Sequence, residues 1–232
     1  MTPRRPDAAP DDHPSRGVAV IADIVGSRTL DDRPAAQGAI LDAFAAAERQ
    51  VPALLPGWAT VGDEFQCLHG HWTDAVRAVL RVDLGLPAGL ALRFGLGEGE
   101  HREIDAGAGE GGPILDGSAW HRARGALETA ASRAPGAAAA FVGPDPQLSL
   151  AVDGQLLLRD HLVGRLRARE RRLAAALLAG STQAEVARRE RITQSAVSQA
   201  VSRAGIRELL DLDAALAAGA PAPGAADGRA QA

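Results

Sequence analysis

Residues 18–25 read VAVIADIV, apolar at odd and even positions alike and interrupted once, by Asp23. Successive side chains of an extended chain point to opposite faces, so such a run reads as a strand buried on both sides. A carboxylate inside it demands a reason, because a buried charge is costly unless paired. A second stretch, TVGDEFQCL at 60–68, sets Asp63 and Glu64 at a tight turn between two apolar segments. We expect Asp23 and Asp63 to converge at a strand end and share a divalent ion. Two carboxylates held together raise each other's pKa, and a cation between them relieves that.

The pattern along the chain predicts an α+β domain. After the strand at 18–25, DDRPAAQGAILDAFAAAERQV reads as a helix capped by Asp32, with Pro34 in its first turn and Ile40, Leu41 and Phe44 at helical spacing. A hairpin follows around Gly62 and Asp63, with a Gly-first two-residue turn. WTDAVRAVLRVDL predicts a helix capped near Thr73, with Val76, Val79 and Leu80 facing inward; GLALRFGLGEG is a strand, 107–113 a Gly-rich loop, and 118–132 a helix. The order β-α-β-β-α-β is that of a ferredoxin-like sheet with helices on one face. From Leu162 onward only helices are expected: 162–180 as one long helix, a short one with a Ser181 or Thr182 cap and a Glu185 capping box, and a third from a Thr193 cap to Gly205. The expected division is a tail at 1–16, an α+β domain at 17–157, a helix-turn-helix domain at 158–217, and a tail at 218–232.

Composition removes several function classes. There is no lysine, so no lysine-based mechanism, and the single Cys67 excludes an intrachain disulfide or a zinc site of several thiolates. Cys67, His69 and His71 share i, i+2, i+4 spacing, but Gly70 interrupts the strand, and a core thiol with exposed histidines is the favoured reading. No apolar run is long enough to span a membrane, the N-terminus lacks the apolar core of a secretory signal, and a cytoplasmic setting is expected. Residues 161–208 hold ten Arg and four Glu, a balance of +6, against −10 for the remainder, so two modules with different partners are expected.

The turn VGSR after the first strand supplies backbone N–H groups at Gly26 and Ser27, a seat for phosphate. Mg²⁺ (or Mn²⁺) takes one or two carboxylates and completes its shell with water and phosphate oxygens, so Asp23 and Asp63 suit a nucleoside triphosphate or another nucleotide.

At these residues the chain resembles class III nucleotidyl cyclases and GGDEF diguanylate cyclases. ADIVGSR resembles the first-strand metal motif; GDEF, with Gly62 and Asp63, resembles the second metal aspartate and the GGDEF turn. LRFGLGEGE is similar to a cyclase strand, and GSAWHRARGAL to the late helix that carries a transition-state arginine, which implies that role for Arg124. With GDEFQ, RFGLGEG and a C-terminal helix-turn-helix, the chain is identified as a member of the SatD-like family, the resemblance covering about 18–132 and the tail module. Three positions depart from the cyclase pattern. Ala59 stands where an adenine-selecting lysine would be, Trp120 where an asparagine would be, and Val61 in place of the second glycine of GGDEF. Cyclic AMP synthesis of the usual kind is therefore not expected.

VARRERITQSAVSQAVSRAG reads as a helix-turn-helix, whose second helix enters the major groove. Its exposed face would present Thr193, Gln194, Ser195, Ser198, Gln199 and Arg203 to base edges, with Arg188, Arg189 and Arg191 on phosphates of double-stranded DNA. A homodimer reading two half-sites is expected. The leading expectation is a DNA-binding regulator with a metal- and nucleotide-binding sensor domain. The alternatives are an active nucleotidyl cyclase or nucleotidyltransferase whose tail only docks it, and a catalytically dead scaffold.

Overall fold

The computed structural model describes residues 15–60, 63–105, 113–133 and 138–220. Val61, Gly62, most of the Gly-rich loop and most of the two predicted tails lie outside the described residues. The chain is α+β, with one mixed sheet and eight helices among the described residues. β1 (Ser15–Ile24) begins earlier than the apolar run suggested, because Ser15 and Arg16 pair with His101 and Glu100. A 3-10 turn (Ser27–Thr29) leads to α1 (Arg33–Glu48), and the carboxylate of Asp32 caps it by accepting from the Ala35 N–H at 2.9 Å.

β2 (Leu55–Ala59) and β3 (Glu64–His69) form the antiparallel hairpin. α2 (Trp72–Gly85) is capped by His71 rather than Thr73: the His71 ring accepts from the Thr73 N–H, and Thr73 itself is buried in the first turn. β4 (Leu92–Asp105) runs well past the predicted strand and pairs at its far end with β5 (Ile114–Asp116). α3 (Ser118–Ser132) has its predicted bounds, and β6 (Ala139–Val142), too short to read from the sequence, lies parallel to β4. The strand order is β2-β3-β1-β4, with β5 and β6 both on β4.

The helices occupy both faces of the sheet, which corrects the one-face expectation. Val18, Val20 and Ala22 of β1, Phe65 of β3 and Phe94 of β4 pack against Ile40 and Phe44 of α1 and Val76 and Val79 of α2. The alternate residues Ala19 and Ile21 face α3, through Ala119, Trp120, Ala123 and Leu127. α3 lies directly on β4 because Gly95 and Gly97 lack side chains there: a Cβ on Gly97 would overlap Ala119 O and Ala123 N, and one on Gly95 would overlap Ala123 O and Leu127 N. The fully apolar reading of β1 follows from this double cover.

α4 (Pro146–Arg165) crosses positions 157 and 158 without a break. Val152 and Leu156 belong to the sheet core, whereas Val163 belongs to a second core. The single long helix predicted over 162–180 is two helices. Leu166 turns into extended backbone with its side chain buried, and α5 (Ala168–Leu178) starts afresh, the Glu170 carboxylate accepting from the Arg167 N–H at 2.7 Å. α6 (Gln183–Glu190) has the predicted Thr182–Glu185 capping box. α7 (Gln194–Arg203) follows, and α8 (Ile206–Gly219) runs two residues into the stretch expected to be tail. The second core joins Leu173, Val186, Val197, Val201, Ile206 and Leu209 to Leu80 and Leu84 of α2. α2 is thus a wall of both cores. No helix among the described residues is long and apolar enough to cross a membrane.

Candidate functional site

The register of β1 sets the first candidate site. Asp23 lies opposite Glu64 on β3 and Arg93 on β4, on the face that carries α3. One carboxylate oxygen, Oδ2, is 3.8 Å from the Arg93 guanidinium; the other, Oδ1, is buried and has no hydrogen-bond partner among the described residues. Burial pushes the Asp23 pKa up, only partly offset by Arg93, and the nearby Glu64 carboxylate adds to the rise.

Glu64 is held from two sides. Arg124 of α3 grips it bidentately, Nη2 donating to Oε1 at 2.9 Å and Nη1 to Oε2, and the Gln66 amide donates to Oε1 at 2.8 Å. This hydrogen bonding raises the Arg124 pKa further, so the guanidinium is a permanent charge beside Asp23. Arg124 thus reaches the strand end through Glu64. Asp63 is one residue from the position opposite Asp23. Its carboxylate stands 3.9 Å from Arg33 at the start of α1. Gly26 takes the left-handed φ of 72°, which lets the chain leave β1 and start the short helical turn at Ser27.

From the sequence Glu64 reads only as a turn residue beside Asp63, and Arg93 carries no signal of its own. Which residue of the Asp63–Glu64 pair shares a face with Asp23 depends on a one-residue register, and nothing local in the sequence specifies it.

These residues bear on a divalent ion in two ways: Asp23 Oδ1 is a buried oxygen without a hydrogen-bond partner among the described residues, and the Asp63 contact with Arg33 is loose. Among the described residues no group of three or more His, Cys, Asp and Glu is arranged to hold a metal; Asp23 lies opposite Glu64, whereas Asp63 stands beside Arg33 of α1. Cys67 and His69 do not add to them. Both are buried, their Sγ and Nε2 are 3.7 Å apart, and burial pushes the thiol up to about 12 and the imidazole down to about 4, so both are neutral at pH 7. His69 is thus core rather than exposed, and His71 is a helix cap.

The second candidate site is the pair α6–α7. The helices meet at Arg191, whose left-handed φ of 56° makes the turn sharp. Thr193 caps α7, its hydroxyl accepting from the Ala196 N–H at 3.1 Å. Val197 and Val201 pin one face of α7 into the core, leaving Gln194, Ser195, Gln199 and Arg203 exposed and Ser198 half-buried. Arg188, Arg189 and Arg191 are exposed on the same unit, and none of these arginines is in an ion pair among the described residues. By contrast, Arg172 is committed to Glu190.

No protein-family model matches the chain, and no curated protein is recognisably similar to it.

Proposed function

We propose that the protein is a DNA-binding regulator of the SatD-like type, in which a cyclase-like domain binds a metal–nucleotide complex. The observation that carries this reading is the exposed face of α7. A capped helix anchored by Val197 and Val201 presents Gln194, Ser195, Gln199 and Arg203 to solvent, Ser195 sharing a hydrogen bond of 2.9 Å with the Thr193 hydroxyl. Gln194, Ser195, Ser198 and Gln199 would read base edges, Thr193 would fix the start of the helix near the backbone, and Arg188, Arg189, Arg191 and Arg203 would meet phosphates. Two copies would read two half-sites as a homodimer.

The strand order β2-β3-β1-β4, with α1 and α2 on one face, supports a ferredoxin-like core of the kind cyclases use. In that core Asp23 and Asp63 would hold Mg²⁺ or Mn²⁺, which when bound neutralises phosphate charge. The backbone at Gly26 and Ser27, with Gly62, would cradle the phosphates, and Arg124 would turn from Glu64 toward them. Gel retardation with sheared genomic DNA tests the DNA reading. Binding is expected at low salt and to weaken steeply as salt rises, and Gln199→Ala with Arg203→Ala should reduce it at least tenfold. No retardation at any salt concentration sinks it.

The rival reading, an active nucleotidyl cyclase or transferase, draws support from Arg124 lying within electrostatic reach of Asp23. A product from an NTP and Mg²⁺ that disappears on Asp63→Ala would decide for it.

A further inference from the structure

Beside Arg124 the same face of the sheet carries two tryptophans, Trp58 and Trp120. Trp120 lies one helical turn before Arg124 on α3, about 6 Å along the axis, and only 7% of it is exposed. Trp58, opposite Gln66 on the edge strand β2, packs edge-on against it with ring centroids 6.1 Å apart. Both indole N–H groups are buried, and neither has a hydrogen-bond partner among the described residues. A buried donor left unpaired is costly, and two side by side mark a place where acceptors are missing. Alongside them the hydrogen-bonded chain Gln66–Glu64–Arg124 leads toward Asp23.

We infer that Trp58 and Trp120 read the base of the bound nucleotide and select a keto base over an amino base, an assignment that rests on the nucleotide reading above. An indole N–H can only donate. Guanine offers O6 and N7 and uracil offers O4 as acceptors, whereas adenine keeps N7 but replaces the keto oxygen with an amino donor, as cytosine does at its own keto position. A donor-only site therefore complements the first pair and leaves a donor facing a donor with the second. The indole faces supply stacking that any base can use, so the N–H groups carry the discrimination. Trp58 is the side chain that would move: it is partly exposed, and among the described residues no strand lies beyond β2. The base would enter between the rings while the phosphates reach Arg124 and Gly26.

The chain contains three tryptophans and no tyrosine, and two of the three line this site, so intrinsic fluorescence reports on it directly. The full chain is titrated separately with GTP, UTP, ATP and CTP in the presence of Mg²⁺. GTP and UTP are expected to bind at least about fivefold more tightly than ATP and CTP, the lower end of what a good base-edge pair provides. Trp120→Phe and Trp58→Phe keep a stacking face but lose the N–H, and each should bring that ratio close to one. Should Trp120→Phe fail to fold, Trp58→Phe on the exposed edge carries the same test. Equal binding of all four nucleotides, or a preference untouched by both substitutions, overturns the inference while leaving nucleotide binding intact; the donors then hold only water. Binding of none overturns the nucleotide reading and this inference with it.

Discussion

At the scale of single residues, the two most informative acids behave oppositely. Asp213 of α8 accepts from both Arg81 and Arg77 of α2, with Arg81 Nη2 at 2.9 Å and Arg77 Nε at 3.1 Å. Burial works against its ionisation, but the arginines outweigh burial and hold its pKa below the ordinary value of 3.8. Its stabilising contribution is therefore full above pH 4 and is lost as pH falls through the lowered value. Asp213→Ala strands the buried Arg81 and should cost about 3–5 kcal/mol in urea unfolding at pH 7, a loss that shrinks at low pH. Asp23 has a raised pKa, so its contribution is greatest below the ordinary carboxyl value of 3.8 and declines as pH rises. Asp23→Asn should leave the melting temperature at pH 7 unchanged or higher and, on the proposed reading, should abolish Mg²⁺-dependent nucleotide binding. A fall in melting temperature would make Asp23 a structural group instead. Thr193→Ala removes the α7 cap and should cost about 1 kcal/mol.

At the scale of elements, the contact between α3 and β4 depends on missing side chains. A methyl group at Gly97 would run into the α3 backbone at Ala119 and Ala123. Backbone cannot yield as a side-chain tip does, so Gly97→Ala should destabilise the protein by about 3 kcal/mol or more and loosen Trp120 and Arg124 together. Gly125, on the same helix, has open space around its Cβ position. Gly125→Ala, which also gains helix propensity, should stabilise by up to about 1 kcal/mol. Equal effects of the two substitutions in chemical denaturation would contradict this packing.

At the scale of the whole molecule, α2 joins what composition suggested were two modules. Its Val76 and Val79 face the sheet, its Leu80 and Leu84 face the C-terminal helices, and Arg171 of α5 donates to the Asp83 carboxylate at 2.8 Å. Elements that share one wall melt together, so calorimetry should give a single transition. Ending the chain at residue 157 would bare Leu80, Leu84 and Arg81 and should yield aggregation-prone protein rather than a free sheet domain. Two separate transitions would mean that the basic helices are only tethered. A ligand at the strand end and DNA at α7 would thus act on one connected body.

Local chemistry carried much of the architecture into the sequence. Asp32, Thr182 with Glu185, and Thr193 cap their own helices using atoms three residues away at most, so these starts were legible without any tertiary information. The helix over 118–132 and the double-sided apolar run of β1 were also legible from neighbouring residues alone. What only the tertiary structure decided depends on pairing between distant segments. Register put Glu64 rather than Asp63 opposite Asp23, the glycines of β4 drew α3 onto the second face, and Leu166 was buried where a helix had been expected to continue. Those outcomes follow from which surfaces meet after the chain closes on itself, and no stretch of neighbouring residues encodes that.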